Sequence, residues 1–356
     1  MKIEWSRGGS LLKAGVGPRT VMVVTLLGVV ALWSAAPGLA ASDSVLKLAT
    51  LVPEGSVWDK ALREMGATWK QASSGRVTLT IYPGGVAGSE HDVLRKMRIG
   101  QLQAGSLTTA GLEHIDAGFK VLTIPLFYDS YDEFFHVLSG LAPELERRLE
   151  VHGYVLLHWG HAGWVHFFSR RPMHTIDDLR RFKIFVTAGS DDMVAWWTRN
   201  GFQPVALSPT DIMTGLQTGM IDVLPTTPLA GLSLQWFRQT PYMHDLGLAP
   251  LTGATIVSKR AWERLDENDR TRLLAVARKV GARLEEEIPR QDKQAVAEME
   301  ARGLRVTTST DMPQWEKTAK GFAASMRGAM VPEDVYDRAV ALRDEYRRQQ
   351  QGGGDS

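Results

Sequence analysis

Residues 45–82 read VLKLATLVPEGSVWDKALREMGATWKQASSGRVTLTIY. The first seven positions, 45–51, alternate in character, the period of a strand with one buried face. Over 56–73 the period lengthens, and Trp58, Ala61, Leu62, Met65 and Trp69 fall on one helical face. Positions 76–82 alternate again. Pro83-Gly84-Gly85 then stops the strand, because Pro fixes φ and Gly permits φ > 0. Strand, helix, strand is the repeating unit of an α/β protein.

The same alternation continues outward. Helices are expected over 90–99, 132–153, 192–200 and 209–218, the last with Thr210 as a candidate N-cap. Strands are expected over 154–159, 183–187, 221–224 and 255–258. From 259 to about 302 the pattern is strongly helical, interrupted near Pro289. A last helix runs over 331–348, and the glutamine- and glycine-rich 349–356 reads as a disordered tail. Strands alternating with helices predict an α/β fold with mainly parallel pairing. No internal repeat and no long linker is present.

The chain has 356 residues, 44% of them hydrophobic and 23% charged, and no Cys. Disulfides, thiolate metal sites, catalytic thiols and a lipidated cysteine are thereby excluded. The 41 basic residues nearly cancel the 40 acidic ones, which leaves no nucleic-acid footprint. Residues 1–20 carry Lys2, Arg7, Lys13 and Arg19 against Glu4. The apolar run 21–33 follows, and then SAAPGLAA over 34–41. Basic, apolar, small-residue order marks a secretory signal peptide over 1–40, cleaved after Ala40. The apolar run is too short for a bilayer span, so the cleaved protein is expected in the periplasm with no membrane insertion of its own.

Catalytic signatures are missing. No Gly-Lys-Ser/Thr, GxGxxG after a strand, HExxH or GxSxG occurs. His158, His161 and His166 read as packed or exposed side chains rather than metal ligands, and Ser190-Asp191-Asp192 as a helix cap. A binding protein with no metal and no cofactor is expected rather than an enzyme. Aromatic residues stand out instead. Trp159 and Trp164 flank a Gly-rich turn, Trp196 and Trp197 are adjacent, and Trp236, Phe237 and Tyr242 lie close together. One of the adjacent pair is a candidate for lining a cleft between domains, a preferred place for small ligands.

Four stretches in order resemble the DctP-type solute-binding proteins of TRAP transporters. They are YPGGVAGSE over 82–90, RRP at 170–172 with DDLRRFKI over 177–184, LQTGMID over 216–222, and VSKRAW over 257–262. The similarity covers about 45–330. It implies a two-lobed periplasmic-binding-protein-like fold (type II), with lobes joined by crossover strands and a long helix. Lobe I would hold 41–165 and about 250–295, and lobe II about 166–249 and 296–330. It also implies a small-molecule solute as ligand, with an organic acid left open, and small and large TRAP membrane subunits as partners. An exported sensor or a carrier of lipids or hydrophobes on the same fold is the alternative.

The departures concern the ligand. Where the family's KIRV segment carries an Arg for the ligand carboxylate, this chain has Phe185 in Lys183-Ile184-Phe185-Val186. Gly163-Trp164-Val165-His166 also lacks an Arg found in the family. A pocket more apolar or aromatic than usual is expected, unless Arg170, Arg171 or Lys183 supplies the cation. Loop ends and matching positions nominate Ser56, Trp58, Thr108, Thr109, Phe127, Trp164, Phe185, Asp211, Thr226, Thr227 and Trp236 as ligand-facing residues.

Overall fold

The computed structural model describes residues 44–352. The expected signal peptide 1–40, and 353–356 of the expected tail, lie outside the described residues. The strands are β1 (Ser44–Thr50), β2 (Val77–Tyr82), β3 (Ala104–Thr108), β4 (Tyr154–Trp164), β5 (His166–Ser169), β6 (Lys183–Thr187), β7 (Gln203–Leu207), β8 (Val223–Thr226), β9 (Tyr242–His244), β10 (Pro250–Ser258) and β11 (Arg305–Thr307).

They form two sheets, one in each of two lobes. The first has the order β2-β1-β3-β10-β4 and the second the order β11-β9-β5-β8-β6-β7. Pairing is mixed rather than mainly parallel. β10 runs antiparallel to both β3 and β4, and β5 antiparallel to both β8 and β9. The reason is the crossing between lobes. β4 ends at Trp164, and Val165 alone separates it from β5 in the other sheet. β10 brings the chain back, so the outgoing and returning strands must oppose each other. β4 and β10 are longer than expected because they pair with each other along their whole length, from Tyr154 opposite Ser258 to Trp164 opposite Pro250.

Local signals explain the helices. Ser56 caps the helix Val57–Ala72, which buries Trp58, Ala61, Leu62, Met65 and Trp69. Ser89 and Asp92 form a capping box at the helix Glu90–Arg98. Gly219 ends Ile212–Thr218 at φ 70°, the left-handed turn that leads into β8. Thr210 is not an N-cap. It lies in the 3-10 turn Pro209–Asp211, where its hydroxyl bonds that of Ser208 at 2.8 Å. Ser190 does stand at the N-cap of Asp191–Arg199, but its hydroxyl makes no capping bond and instead donates to Glu113 at 2.8 Å.

The helix Glu267–Glu300 runs unbroken for 34 residues, through Pro289. An interior Pro removes one backbone hydrogen bond. Ile288 and Asp292, on either side of the gap, are buried and tie the helix to the core there. Leu273, Ala277, Val280, Leu284 and Ile288 pack into the core of the first lobe, and Met299 into that of the second beside Phe168 and Met243. The last helix is Glu333–Gly352. It outlasts the expected limit at 348 because Arg347–Gln351 are good helix formers. Arg347 also anchors it, bonding the buried Glu133 and, at 3.3 Å, the Phe127 carbonyl.

Candidate functional site

Strand ends of both sheets face a common cleft, the usual ligand position in open α/β sheets. A cavity of about 470 Å³ lies there. Thr50 and Thr108 reach it from the ends of β1 and β3, Trp58 from the first helix, and His158 and His161 from β4. Phe185 and Thr187 of β6, Thr226 of β8, and Trp236 complete it from the second lobe.

Trp58, Thr108, Phe185, Thr226 and Trp236 are thus brought together. Trp58 is buried, and its indole N–H donates to the His161 carbonyl at 2.8 Å. Phe185 and Trp236 pack against the cluster of Ile212, Leu216, Ile221 and Leu224.

The other nominated residues lie outside this cavity, and all but Asp211 have a structural task. Ser56 caps a helix. Thr109 is buried and donates to the Thr252 carbonyl at 2.8 Å. Phe127 is core, with the Arg343 guanidinium 4.2 Å above its ring. Trp164 meets Tyr131 edge-on, 5.1 Å between centroids. Asp211 is exposed in a 3-10 turn. Thr227 is fully buried and caps Pro228–Ser233.

A second cavity, of about 280 Å³, adjoins the first. Trp196 and Trp197 both line it, with Phe202, Trp315 and Phe322. Trp196 meets Phe322 edge-on at 4.4 Å and stacks on Phe202 at 6.2 Å. Phe185, Pro225 and Leu251 line both cavities.

Neither cavity is lined by a Lys or Arg among the described residues. Of the three candidate substitutes, Lys183 is exposed and its ammonium donates to the Gly219 carbonyl at 2.9 Å. The Arg171 guanidinium lies 4.7 Å above the Phe182 ring. Arg170 lies beside Gly219, and its backbone N–H donates to Asp222 at 3.0 Å.

The ionisable groups that do line the cavities are acids and histidines. Glu90 is buried, and its carboxyl accepts the Thr108 N–H at 2.6 Å and the Thr108 hydroxyl at 2.7 Å. Burial pushes its pKa up. Glu113, in the second cavity, is pushed up by burial against the opposing pull of Lys120, 3.8 Å away. His158 points Nδ1 at the Trp159 carbonyl, 2.8 Å away. Nδ1 must therefore carry the hydrogen, and burial keeps the ring neutral. Its buried Nε2 is left as an acceptor with no protein partner. Burial likewise lowers His161, to about 3. No group of three or more metal-ligating side chains occurs among the described residues. The cleft therefore offers apolar walls and acceptors, and it opposes a second negative charge.

Asp292 of the long helix sits where the lobes cross. Its carboxylate accepts the backbone N–H of Trp164 and of Leu229, each at 2.9 Å. Burial raises its pKa to about 6. At Gly163, φ is +107°, and a Cβ there would overlap this carboxylate.

Sequence reasoning missed Glu90 and the free nitrogen of His158, and of the second cavity it pointed only to the pair Trp196 and Trp197. Glu90 opens a helix, where an acid needs no other explanation.

The model of bacterial extracellular solute-binding proteins, family 7, matches residues 48–327. YiiZ of Salmonella typhimurium is 23% identical over 199 residues, 55% of this chain and 60% of its own length, so the match spans less than two thirds of that relative. DctP7 of Bordetella pertussis, an extracytoplasmic solute receptor binding pyroglutamic acid, is 19% identical with a TM-score of 0.77, over 85% of this chain and 99% of its own. A TRAP periplasmic solute-binding protein of Xanthobacter autotrophicus Py2, with bound β-D-galacturonate, is 17% identical with a TM-score of 0.78, over 84% and 99%. No described helix is long and apolar enough to cross a membrane.

Proposed function

The chain belongs to the bacterial extracellular solute-binding proteins of family 7, and on that premise we propose that it captures a small organic solute between its lobes and delivers it to a TRAP-type transporter. The small and large membrane subunits of such a transporter are its partners, and the periplasm its compartment. Hinge closure around a ligand is the motion that suits two lobes crossed by strands and a long helix. The likeness to a TRAP periplasmic binding protein supports this role.

The solute is neutral or donor-bearing, with more apolar surface than the acids bound by the two structural relatives. One observation carries this: the cleft has no lining Lys or Arg among the described residues, and the side chain at 185 is Phe. A carboxylate buried there without a cation loses several kcal/mol of solvation. It also faces the acid Glu90. A hydroxyl or amide N–H, by contrast, brings no charge to desolvate, and the lining offers it acceptors in the Thr108 hydroxyl and the Glu90 carboxyl.

The test is a thermal-shift screen of residues 41–356, refolded to strip bound ligand. The panel pairs carboxylates with amides or alcohols of the same shape. A ligand at 100 times its Kd adds about 2.7 kcal/mol of stability. Responses among the neutral members are expected. A response confined to carboxylates refutes the reading.

A further inference from the structure

We propose that the second cavity is a compartment for the aryl or alkyl end of the solute, separated by Phe185 from the compartment that takes its polar end. This rests on the cation-free cleft described above and adds what the solute looks like: elongated, with a polar head and an apolar tail.

Protein interiors are close-packed, and a large void with apolar walls forfeits contacts. At about 280 Å³ the second cavity is nearly twice the size of a void that accepts benzene, about 150 Å³. Its walls are Trp196, Trp197, Phe202 and Phe322, whose edges and faces suit an aromatic or aliphatic guest. Trp315 also lines it, and the buried indole N–H of that residue has no partner.

Two features join the compartments into one site. Phe185, Pro225 and Leu251 touch both cavities, so a guest passing the Phe185 ring occupies the two together. Both cavities carry polar groups, Glu113, Ser190 and Thr318 among those of the second, but their remaining walls differ. His158 and Thr108 line only the first cavity, and the tryptophan pair lines only the second.

Two probe series test this by calorimetry, ω-phenylalkan-1-ols and ω-phenylalkanoates with one to five methylenes. Ala319→Phe fills the second cavity from its wall, and Met193→Trp fills it from the facing helix. In whichever series binds, wild-type affinity should rise roughly fourfold per added methylene, the yield of burying one. Both variants should abolish that rise while keeping the shortest probe within about twofold, which also shows that they fold. A rise that survives both variants, or no rise in the wild type, overturns the compartment. If the alkanoates alone bind, the neutral-solute reading falls while the slope still decides the compartment. Binding by neither series overturns both.

Discussion

Phe185→Arg should convert the cleft from excluding carboxylates to selecting them. Phe185 is half-buried on β6 and lines both cavities, where no Lys or Arg is present among the described residues. A guanidinium placed there can bond a carboxylate through two N–H groups, worth about 1.5–3 kcal/mol for hydrogen bonds to a charged group. That corresponds to roughly 10- to 150-fold in affinity. The substitution also removes apolar surface. Full burial of a Phe is worth about 1.5–3 kcal/mol, so a half-buried ring contributes about 1. This loss falls on charged and neutral ligands alike and cancels in their ratio. Phenylacetate and phenylacetamide share shape and tail and differ in charge. Calorimetry at pH 7.5 should find the amide tighter in the wild type, and the ratio moved toward phenylacetate by roughly 10- to 150-fold in Phe185→Arg. Phe185→Met, uncharged and flexible, should leave the ratio where it was. A wild type that prefers phenylacetate, or a ratio that moves less than about threefold in Phe185→Arg, would refute the reasoning. It would mean that a cation outside the lining already reaches the ligand.

Asp292 makes stability depend on pH. Its folded pKa of about 6 lies above the ordinary 3.8, so the native state holds the proton more tightly. Its contribution is fully present below about pH 4 and lost as pH rises through 6, at most about 3 kcal/mol. Thermal unfolding should show Asp292→Asn with a flatter profile from pH 4 to 6.5; matching profiles would contradict the assignment. Gly163→Ala should destabilise by about 2 kcal/mol or more, since φ is +107° and the new methyl meets the Asp292 carboxylate. An unchanged urea midpoint would show that the turn relaxes freely. Trp58→Phe removes the bond to the His161 carbonyl and should cost about 1 kcal/mol of stability. It should also weaken any solute seated in the first cavity, and titration before and after the change separates the two effects.

Much of the fold was legible because its signals are local. The buried face of Val57–Ala72, the Ser89 capping box and the left-handed Gly219 each follow from residues within a few positions. Strand direction was not legible. The antiparallel placement of β10 depends on the chain leaving one lobe at Trp164 and returning some 85 residues later, which no window of sequence contains. The site divides in the same way. Thr108 and Thr226 end strands, Trp236 lies in a turn and Trp58 opens a helix, places where a cleft residue is expected, and Phe185 followed from its match to the family segment. Ser56, Thr109 and Thr227 occupy similar positions, but their hydroxyls hold helix starts and backbone carbonyls. A short polar side chain beside a helix start suits a cap or a ligand equally, and only the fold separates the two. The second cavity joins two segments far apart in the chain, 196–202 and 315–322; the adjacent tryptophans of the first were its local trace, and the contribution of the second left none.

The place of β10 has a consequence for biosynthesis. As the chain emerges from the ribosome, β1, β2 and β3 appear first and β4 follows, but the strand that joins β3 to β4 is made only at Pro250–Ser258. Every strand of the second sheet except β11 is synthesised in the interval. The first lobe therefore waits with an open edge while its neighbour is being made, and the neighbour waits in turn for β11. Neither lobe corresponds to a continuous stretch of gene. Neither can be shuffled, truncated or expressed alone as a segment, and the two halves of the binding site must be inherited together.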